Sequence, residues 1–434
     1  VLFSLPIPLS TRNNMSQSSH SVYIIGAART PTARIHTSLS SIKATNLGAV
    51  AIKEALSRSG VSADSISDVY MGQVLQAGAG QTPAKQAAIK AGLPLTIEAT
   101  TINKVCASGL KAITMATQNI QLGHATAQVA GGMESMSQVP AYYRKPDPTS
   151  STSSRIPGTQ QQQQLPSDGL LDGLRCPFNG HLMGYYADQI AQRFGISRED
   201  QDKYALESYH RAIRAHAAGI YKDEIIRVPL NPRKTQLVTE DFIQEADKFT
   251  PEALAQLSPA FSEKGTVTAG NASFLGDGAS AVVLVNDDLA RKYTRGDEGN
   301  GPKIMAEIMA YADVSATPAE FALAPAKAIR IALERANLSV HDISLWEINE
   351  AFAVVVTLVQ LASLCELRLD PKLVNINGGA ISFGHPLGSS GCRILISLFY
   401  QLQPGQYGVA AICNGGGGST AMIIKRINSE DFQC

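Results

Sequence analysis

Thr101-Ile102-Asn103-Lys104-Val105-Cys106-Ala107-Ser108-Gly109-Leu110-Lys111-Ala112-Ile113 is the stretch on which the reading of this chain turns. Before it, Ile97, Ala99 and Thr101 alternate with polar residues, the period of a half-buried strand. After it, Leu110, Ile113, Ala116 and Ile120 recur at helical spacing. Cys106 therefore stands where a strand turns into a helix. The first N–H groups of a helix have no partners within it, and the dipole there favours negative charge. Both effects favour a thiolate, so the position predicts a reactive sulfur rather than an inert core thiol. Ala107, Ser108 and Gly109 are small and leave room for an acyl group.

Working outward, two later stretches supply partners. Asn375-Ile376-Asn377-Gly378-Gly379-Ala380-Ile381-Ser382-Phe383-Gly384-His385-Pro386-Leu387-Gly388 places a histidine before a proline. The proline excludes His385 from the helical region, so a helix is expected just after it, through Arg393, Ile394, Ile396 and Leu398. Ala411-Ile412-Cys413-Asn414-Gly415-Gly416-Gly417-Gly418-Ser419 lies between the apolar runs 408–412 and 421–424. Four glycines between two strands let a ligand approach the backbone and use its N–H groups. A nucleophile, a base and an array of donors are what covalent acyl transfer requires.

The composition suits such an enzyme. The chain has 434 residues, 44% of them hydrophobic, enough for two or three domains. Its 37 basic and 37 acidic side chains balance, which gives no long-range pull toward nucleic acid or an anionic membrane. No apolar run is long enough to span a bilayer. The cysteines, Cys106, Cys176, Cys365, Cys392, Cys413 and Cys434, are scattered without CxxC pairs. That pattern fits free thiols in a reducing compartment. Residues 1–20 are Ser- and Asn-rich with Arg12 their one arginine, a faint transit-peptide composition; Met15 is a second candidate start.

Along the chain, 22–27 reads as a buried strand, 44–57 as an amphipathic helix, 69–74 as a strand and 83–91 as a helix. A strand over 128–131 is expected to end at Gly131-Gly132. This alternation argues an α/β class. Residues 146–168, with five glutamines at 160–164, read as a mobile surface insertion without assigned structure. The stretch 169–264 is more helical, with a prominent helix over 198–218. Strand texture returns over 279–286, expected to rejoin the first sheet. Residues 302–428 look like a second copy of the first unit. The expected domains are 22–140 with 266–290, an inserted loop domain 141–265, and 302–428.

These motifs, in order, resemble those of the thiolase family, in its acetyl-CoA C-acetyltransferase branch. The match includes residues 103–113, Asn349-Glu350-Ala351-Phe352, Gly384-His385-Pro386 and Cys413-Asn414-Gly415. It extends to Gly26-Ala27-Ala28-Arg29-Thr30-Pro31, Gly131-Gly132-Met133-Glu134-Ser135-Met136-Ser137 and 265–277, covering roughly 21 to 428. The resemblance implies a duplicated α/β fold, two similar halves in αβαβα layers with an inserted loop domain.

It also implies roles. Cys106 carries the acetyl group. His385 activates it and helps hold the thioester oxygen of a second substrate. Cys413 moves the α-proton. Asn349 positions a water, and the amides of Cys106 and Gly415 form the oxyanion hole. Ser273 contacts pantetheine, and Met183, Ala351 and Phe352 line the coenzyme A site. Leu182 stands where the family usually has histidine, with His181 one place earlier. Lys248, or Arg233 and Lys234, would meet the phosphates. Tyr204 matches the tyrosine of potassium-stimulated members, whose ion is held by carbonyls at positions matching Ala269, Gly270, Ala272 and Ile381; hard oxygen donors suit an alkali cation.

The implied reaction is the reversible condensation of two acetyl-CoA to acetoacetyl-CoA and coenzyme A, as a first step toward mevalonate and sterols. Coenzyme A is then substrate, with potassium the only further ion. The implied assembly is a homotetramer, a dimer of dimers, with a dimer as the alternative. The compartment is cytoplasmic, with mitochondrial as the alternative. A β-ketoacyl synthase would present two catalytic histidines rather than His385 with Cys413. The glycines 415–418 lack the Lys-Ser/Thr and helix of a phosphate loop.

Overall fold

The computed structural model describes residues 20–143, 166–230, 236–243, 249–294, 305–361 and 367–427. Its first half contributes β1 (Val22–Arg29), β2 (Asp68–Gly72), β3 (Glu98–Ile102), β4 (Ala127–Ser135) and β5 (Gly276–Asn286). The second contributes β6 (Met305–Ser315), β7 (Ile343–Ile348), β8 (Tyr407–Asn414) and β9 (Gly418–Ile427). The longer helices are α1 (Ala44–Ser59), α2 (Pro83–Ala91), α3 (Ser108–Gln121), α4 (Met183–Phe194), α5 (Arg198–Ala217), α6 (Ala324–Ala336), α7 (Ala353–Leu361) and α8 (Leu387–Gln401).

The strands run in the order β7-β8-β9-β6-β1-β5-β4-β2-β3. In the first half, β1, β5 and β4 pair antiparallel, then β4, β2 and β3 parallel. In the second, β6, β9 and β8 pair antiparallel, then β8 and β7 parallel. The repeated pattern is the duplication expected from the two reactive turns. Where the first half has β3, the second has Val374, bridged in parallel to Trp346 of β7. Among the described residues, the sheets of the two halves are joined through β1 and β6 at two pairs, Tyr23 with Glu307 and Ile24 with Ala306.

Alternation along each strand builds the layers, because successive side chains face opposite ways. On β5, Val283 and Val285 join the core under α1 and α2, whereas Val282 and Leu284 face α3 and α8. On β9, Met422 and Ile424 face α3 and α8, whereas Ala421 and Ile423 pack on α6 and α7. The result is five layers with α3 and α8 in the middle, as the αβαβα reading expects.

The central helices approach closely. A Cβ on Gly109 of α3 would lie 2.8 Å from the carbonyl oxygen of Gly388 on α8. One on Gly132 would lie 1.8 Å from that same oxygen, and one on Gly131 2.1 Å from the Ser280 carbonyl oxygen. This corrects the expected strand end: Gly131 and Gly132 lie inside β4, which runs on to Ser135. The glycines admit neighbouring backbone rather than end the strand.

The middle segment carries α4 and α5, the latter begun by a capping box of Ser197 and Asp200. Ser167–Asp168 pairs with Ala141–Tyr142, and Asp168 caps the short helix Gly169–Leu174. The reading of 146–168 as structureless is thus corrected at its end, where Asp168 is a helix N-cap; 146–165 lies outside the described residues. Among the described residues no helix is long and apolar enough to cross a membrane.

Candidate active site

The turn between β3 and α3 is tightly built. The Asn103 side-chain oxygen accepts from the Val105 amide at 3.0 Å, and the Ser108 hydroxyl oxygen from the Lys104 amide at 2.8 Å. Val105 sits at φ 49°, a left-handed conformation that strains a β-branched residue by about 1–3 kcal/mol. Cys106 is partly exposed, and the backbone amides of Gly415 and of Cys106 itself lie near enough to its sulfur to favour the thiolate. Burial nevertheless pushes its thiol up to about 11; the two amides oppose this and the nearby Glu134 carboxylate adds to it. The expectation of a thiolate at rest is therefore corrected: loss of hydration outweighs the helix terminus. A base is needed.

His385 is that candidate. It is 5% exposed, between Gly384 and the proline that opens α8, with its amide donating to the Phe274 carbonyl. The Ser390 hydroxyl lies 2.6 Å from Nδ1 and itself donates to the Pro386 carbonyl at 2.9 Å. Having spent its proton, Ser390 accepts, so the network assigns the ring hydrogen to Nδ1 and leaves Nε2 as a free acceptor. Nε2 is buried without a hydrogen-bond partner. Burial, aided by the Arg393 charge, pushes the imidazole down to about 3, so the ring is neutral near pH 7.

Ser390 and Glu134 were not singled out by the sequence. Glu134 accepts from the amides of Val74 and Leu75 beyond β2, and of Gly388 in the first turn of α8. Burial pushes its carboxyl up to about 7 against these three bonds. It ties the first half to the helix that follows His385. The one available signal was an acidic residue two places after the glycine pair.

Cys413 is the last residue but one of β8, 2% exposed, and its thiol is pushed up by burial and by its neighbour Cys106. The loop after it is three glycines long, since Gly418 already pairs with Asn414. Gly417, at φ 94°, would drive a Cβ to 2.4 Å from the carbonyl oxygens of Ala316 and Thr317, so only glycine fits. A Cβ at Gly415 would lie 3.3 Å from Val105 and 3.7 Å from the Met183 sulfur, which puts Met183 over the loop. Met183, Ala351, Phe352, Ala272 and Cys413 share one apolar cluster. Asn349, fully buried, donates its amide to the Ala411 carbonyl; its Nδ2 has no partner. Ser273 donates its hydroxyl to the Ala351 carbonyl at 2.9 Å.

The potassium set is a mixed case. Tyr204 donates to Glu350 at 2.8 Å and accepts from Asn375 at 3.0 Å, and Tyr209 donates to the Gly270 carbonyl at 3.1 Å. The Tyr204 hydroxyl and the Gly270 carbonyl are thus both engaged by neighbouring side chains. Ile381 packs in the same small cluster as Tyr204 and Tyr209. Among the described residues no group of three His, Cys, Asp or Glu side chains suits a metal ion. His181 is exposed and stacks on Tyr185 with centroids 3.8 Å apart. Lys248, Arg233 and Lys234 lie outside the described residues.

The structure thus brings together Cys106, Gly415, Cys413 and Met183, and holds Asn349 and His385 each with an unpartnered side-chain nitrogen. Comparison with known proteins agrees in kind. The family model for the thiolase N-terminal domain matches residues 22–288, and that for the thiolase C-terminal domain residues 302–426. A mitochondrial acetyl-CoA acetyltransferase of Gibberella zeae is 48% identical over 97% of this chain and 94% of its own. The mitochondrial acetyl-CoA acetyltransferase of Bos taurus is 44% identical over 94% of this chain and 92% of its own. The crystal structure of the Acat5 thiolase from Ascaris suum in complex with coenzyme A has a TM-score of 0.82 and 39% identity, covering 94% of this chain and 100% of that one.

Proposed function

The chain belongs to the thiolase family, and from that premise we propose that it is an acetyl-CoA acetyltransferase working through an acetyl-cysteine intermediate. The observation that carries this is the Cys106 sulfur lying against the Gly415 amide of the other half, with His385 held neutral and Nε2 free.

Burial raises both thiols, which supports a proton route that starts from neutral sulfurs. His385 Nε2 takes the Cys106 proton as sulfur attacks the acetyl-CoA carbonyl. The oxyanion forms against the amides of Cys106 and Gly415. Its collapse breaks the bond to coenzyme A, whose sulfur takes the Cys413 proton. Cys413, now a thiolate, removes the α-proton of a second acetyl-CoA. The enolate oxygen is met by the protonated Nε2 of His385 and by Asn349, through a water. Its carbon attacks the acetyl group, the bond to Cys106 breaks, and Cys106 recovers its proton from His385. Cys106 recovers its own proton, whereas Cys413 gives its proton to coenzyme A and takes the α-proton in its place; both thiols end protonated, and the same steps reversed give thiolysis.

Coenzyme A is the substrate carrier, a reading supported by the coenzyme A complex of the Ascaris suum protein. Met183, Ala351, Phe352 and Ser273 line its approach, and Tyr204, bonded to Glu350, belongs to the inserted unit 141–265. Potassium held by Ala269, Gly270, Ala272 and Ile381 beside Tyr204 would stiffen that turn. The assembly is a homotetramer built as a dimer of dimers. Relatives named as mitochondrial favour the mitochondrial compartment over the cytoplasmic one. In the condensing direction the product stands at the first step toward mevalonate and sterols. The test is a steady-state assay in both directions with acetyl-CoA, acetoacetyl-CoA and longer 3-ketoacyl-CoAs. No turnover with acetoacetyl-CoA and coenzyme A would sink the reading.

A further inference from the structure

Lys104 stands two residues before the nucleophile, yet its ammonium is spent on the other half of the molecule. It pairs with Asp313 of β6 and donates to the Thr420 hydroxyl at 2.8 Å and the Ser419 carbonyl at 3.2 Å, both on β9. Thr420 donates in turn to Asp313 at 2.6 Å, and Lys111 of α3 reaches the second carboxylate oxygen at 2.7 Å. The cluster is closed, with each polar group satisfied by another. Asp313 and Thr420 are register partners across β6 and β9. β9 starts at Gly418, directly after the loop that carries Gly415.

The geometry has a purpose at the site. The two amides near the Cys106 sulfur come from different halves, whose sheets, among the described residues, are joined at two residue pairs. Between Lys104 and Cys106 lies Val105, strained at φ 49° and facing Gly415. A strained turn holds its shape only when its surroundings fix it. What moves the Cys106 thiol is burial, two amides and Glu134; the Lys104 charge is turned to Asp313 instead.

Resting on the acyl-transfer reading above, we propose that Lys104 is a positioning residue that clamps the nucleophile turn to the β8–β9 hairpin and so sets the spacing of the Cys106 and Gly415 amides. The experiment compares two reactions of the same sulfur in the full-length protein. Acetylation by acetyl-CoA develops an oxyanion; alkylation by iodoacetamide, a displacement at saturated carbon, does not. In Lys104→Met, rapid-quench acetylation should fall about ten- to a hundredfold, the scale of a misplaced oxyanion donor. Iodoacetamide should still label Cys106 within about twofold of wild type, and the KM for acetyl-CoA should stay as close, the pattern of an interaction made only in the transition state. Lys104→Arg, which keeps the charge and donors, should recover most of the rate. Thr420→Val leaves the ion pair in place, guards against a folding failure of the first variant, and should show the same selective loss at smaller size. Acetylation of Lys104→Met at the wild-type rate overturns the proposal. So does a parallel loss of alkylation, which would make Lys104 a group acting on the thiol itself. Failure of acetyl-CoA to label the wild type overturns the acyl-transfer reading instead, a result separable from both.

Discussion

The two central helices begin in the same layer and present opposite kinds of ends. α3 opens on Cys106, partly exposed, after a strained valine and against amides of the other half. α8 opens just after His385, buried, after a glycine at φ 103° and with the Glu134 carboxylate on its first-turn amide. An acidic partner stabilises a helix start, since it satisfies a free N–H and opposes the dipole. The histidine end has one and the cysteine end does not. At the cysteine end the amides of Ala107 and Ser108 turn back to the carbonyls of Lys104 and Val105, and no carboxylate caps the helix; on the acyl-transfer reading, the amides left to meet a transient oxygen are those of Cys106 and Gly415. At the histidine end the structure is closed, so the ring keeps one tautomer. A duplicated architecture delivers two equivalent helix starts to one place, and their chemistry diverges through what fills the first-turn amides.

Breaking the open end should cost most. Cys106→Ala is expected to abolish acetyl-enzyme formation with little change in circular dichroism; acetyl label at the wild-type level, found by mass spectrometry, would remove Cys106 from its role. Next comes the division of labour between the two thiols. Cys413→Ser should still be acetylated, while deuterium exchange into the acetyl methyl group of bound acetyl-CoA falls about a hundredfold, the usual scale for a lost general base. Exchange at the wild-type rate would make Cys413 structural. At the closed end, Ser390→Ala leaves the Nδ1 hydrogen without its acceptor and should slow acetylation about tenfold, the equivalent of one unsatisfied buried group. An unchanged rate would show that the tautomer is fixed otherwise.

The smallest effect sharpens the contrast through pH. The His385 imidazole is held near 3 in the fold against 6.5 unperturbed, so between those values the unfolded chain binds more protons. Stability is therefore lost as pH falls through that window. Relative to His385→Gln, the wild type should lose about 0.7 kcal/mol between pH 7 and pH 6 in urea melts. Glu134 and Glu347, raised by burial to about 7 and about 8, titrate with the opposite sign but occur in both proteins and cancel. Equal losses in the two proteins would mean that His385 is not held neutral.

The same contrast explains what the sequence disclosed. Both helix starts were legible because periodicity changes from two to 3.6 around Cys106, and because proline sets the boundary after His385. The duplication was legible from the two turns together. The glycine pair in β4 reads as a strand end in the sequence because its demand for small residues comes from distant backbone, the Ser280 carbonyl at Gly131 and the Gly388 carbonyl at Gly132. The Cys106 charge was misjudged because the helix dipole is a local effect, readable from spacing, whereas burial is made by the whole fold. Ser390 was invisible because a hydroxyl in a first helical turn is ordinary until the ring beside it is seen. The clamp at Lys104 joins three segments that sequence proximity never brings together.

One consequence follows from where the second amide comes from. Gly415 lies near the end of a 434-residue chain, and Cys106 in its first quarter. Chains emerge from the ribosome N-terminal end first. From the emergence of Cys106 until Gly415 follows, the growing polypeptide thus carries its cysteine without the second amide. On the acyl-transfer reading, reactivity toward thioesters would arrive only with the hairpin that carries Gly415.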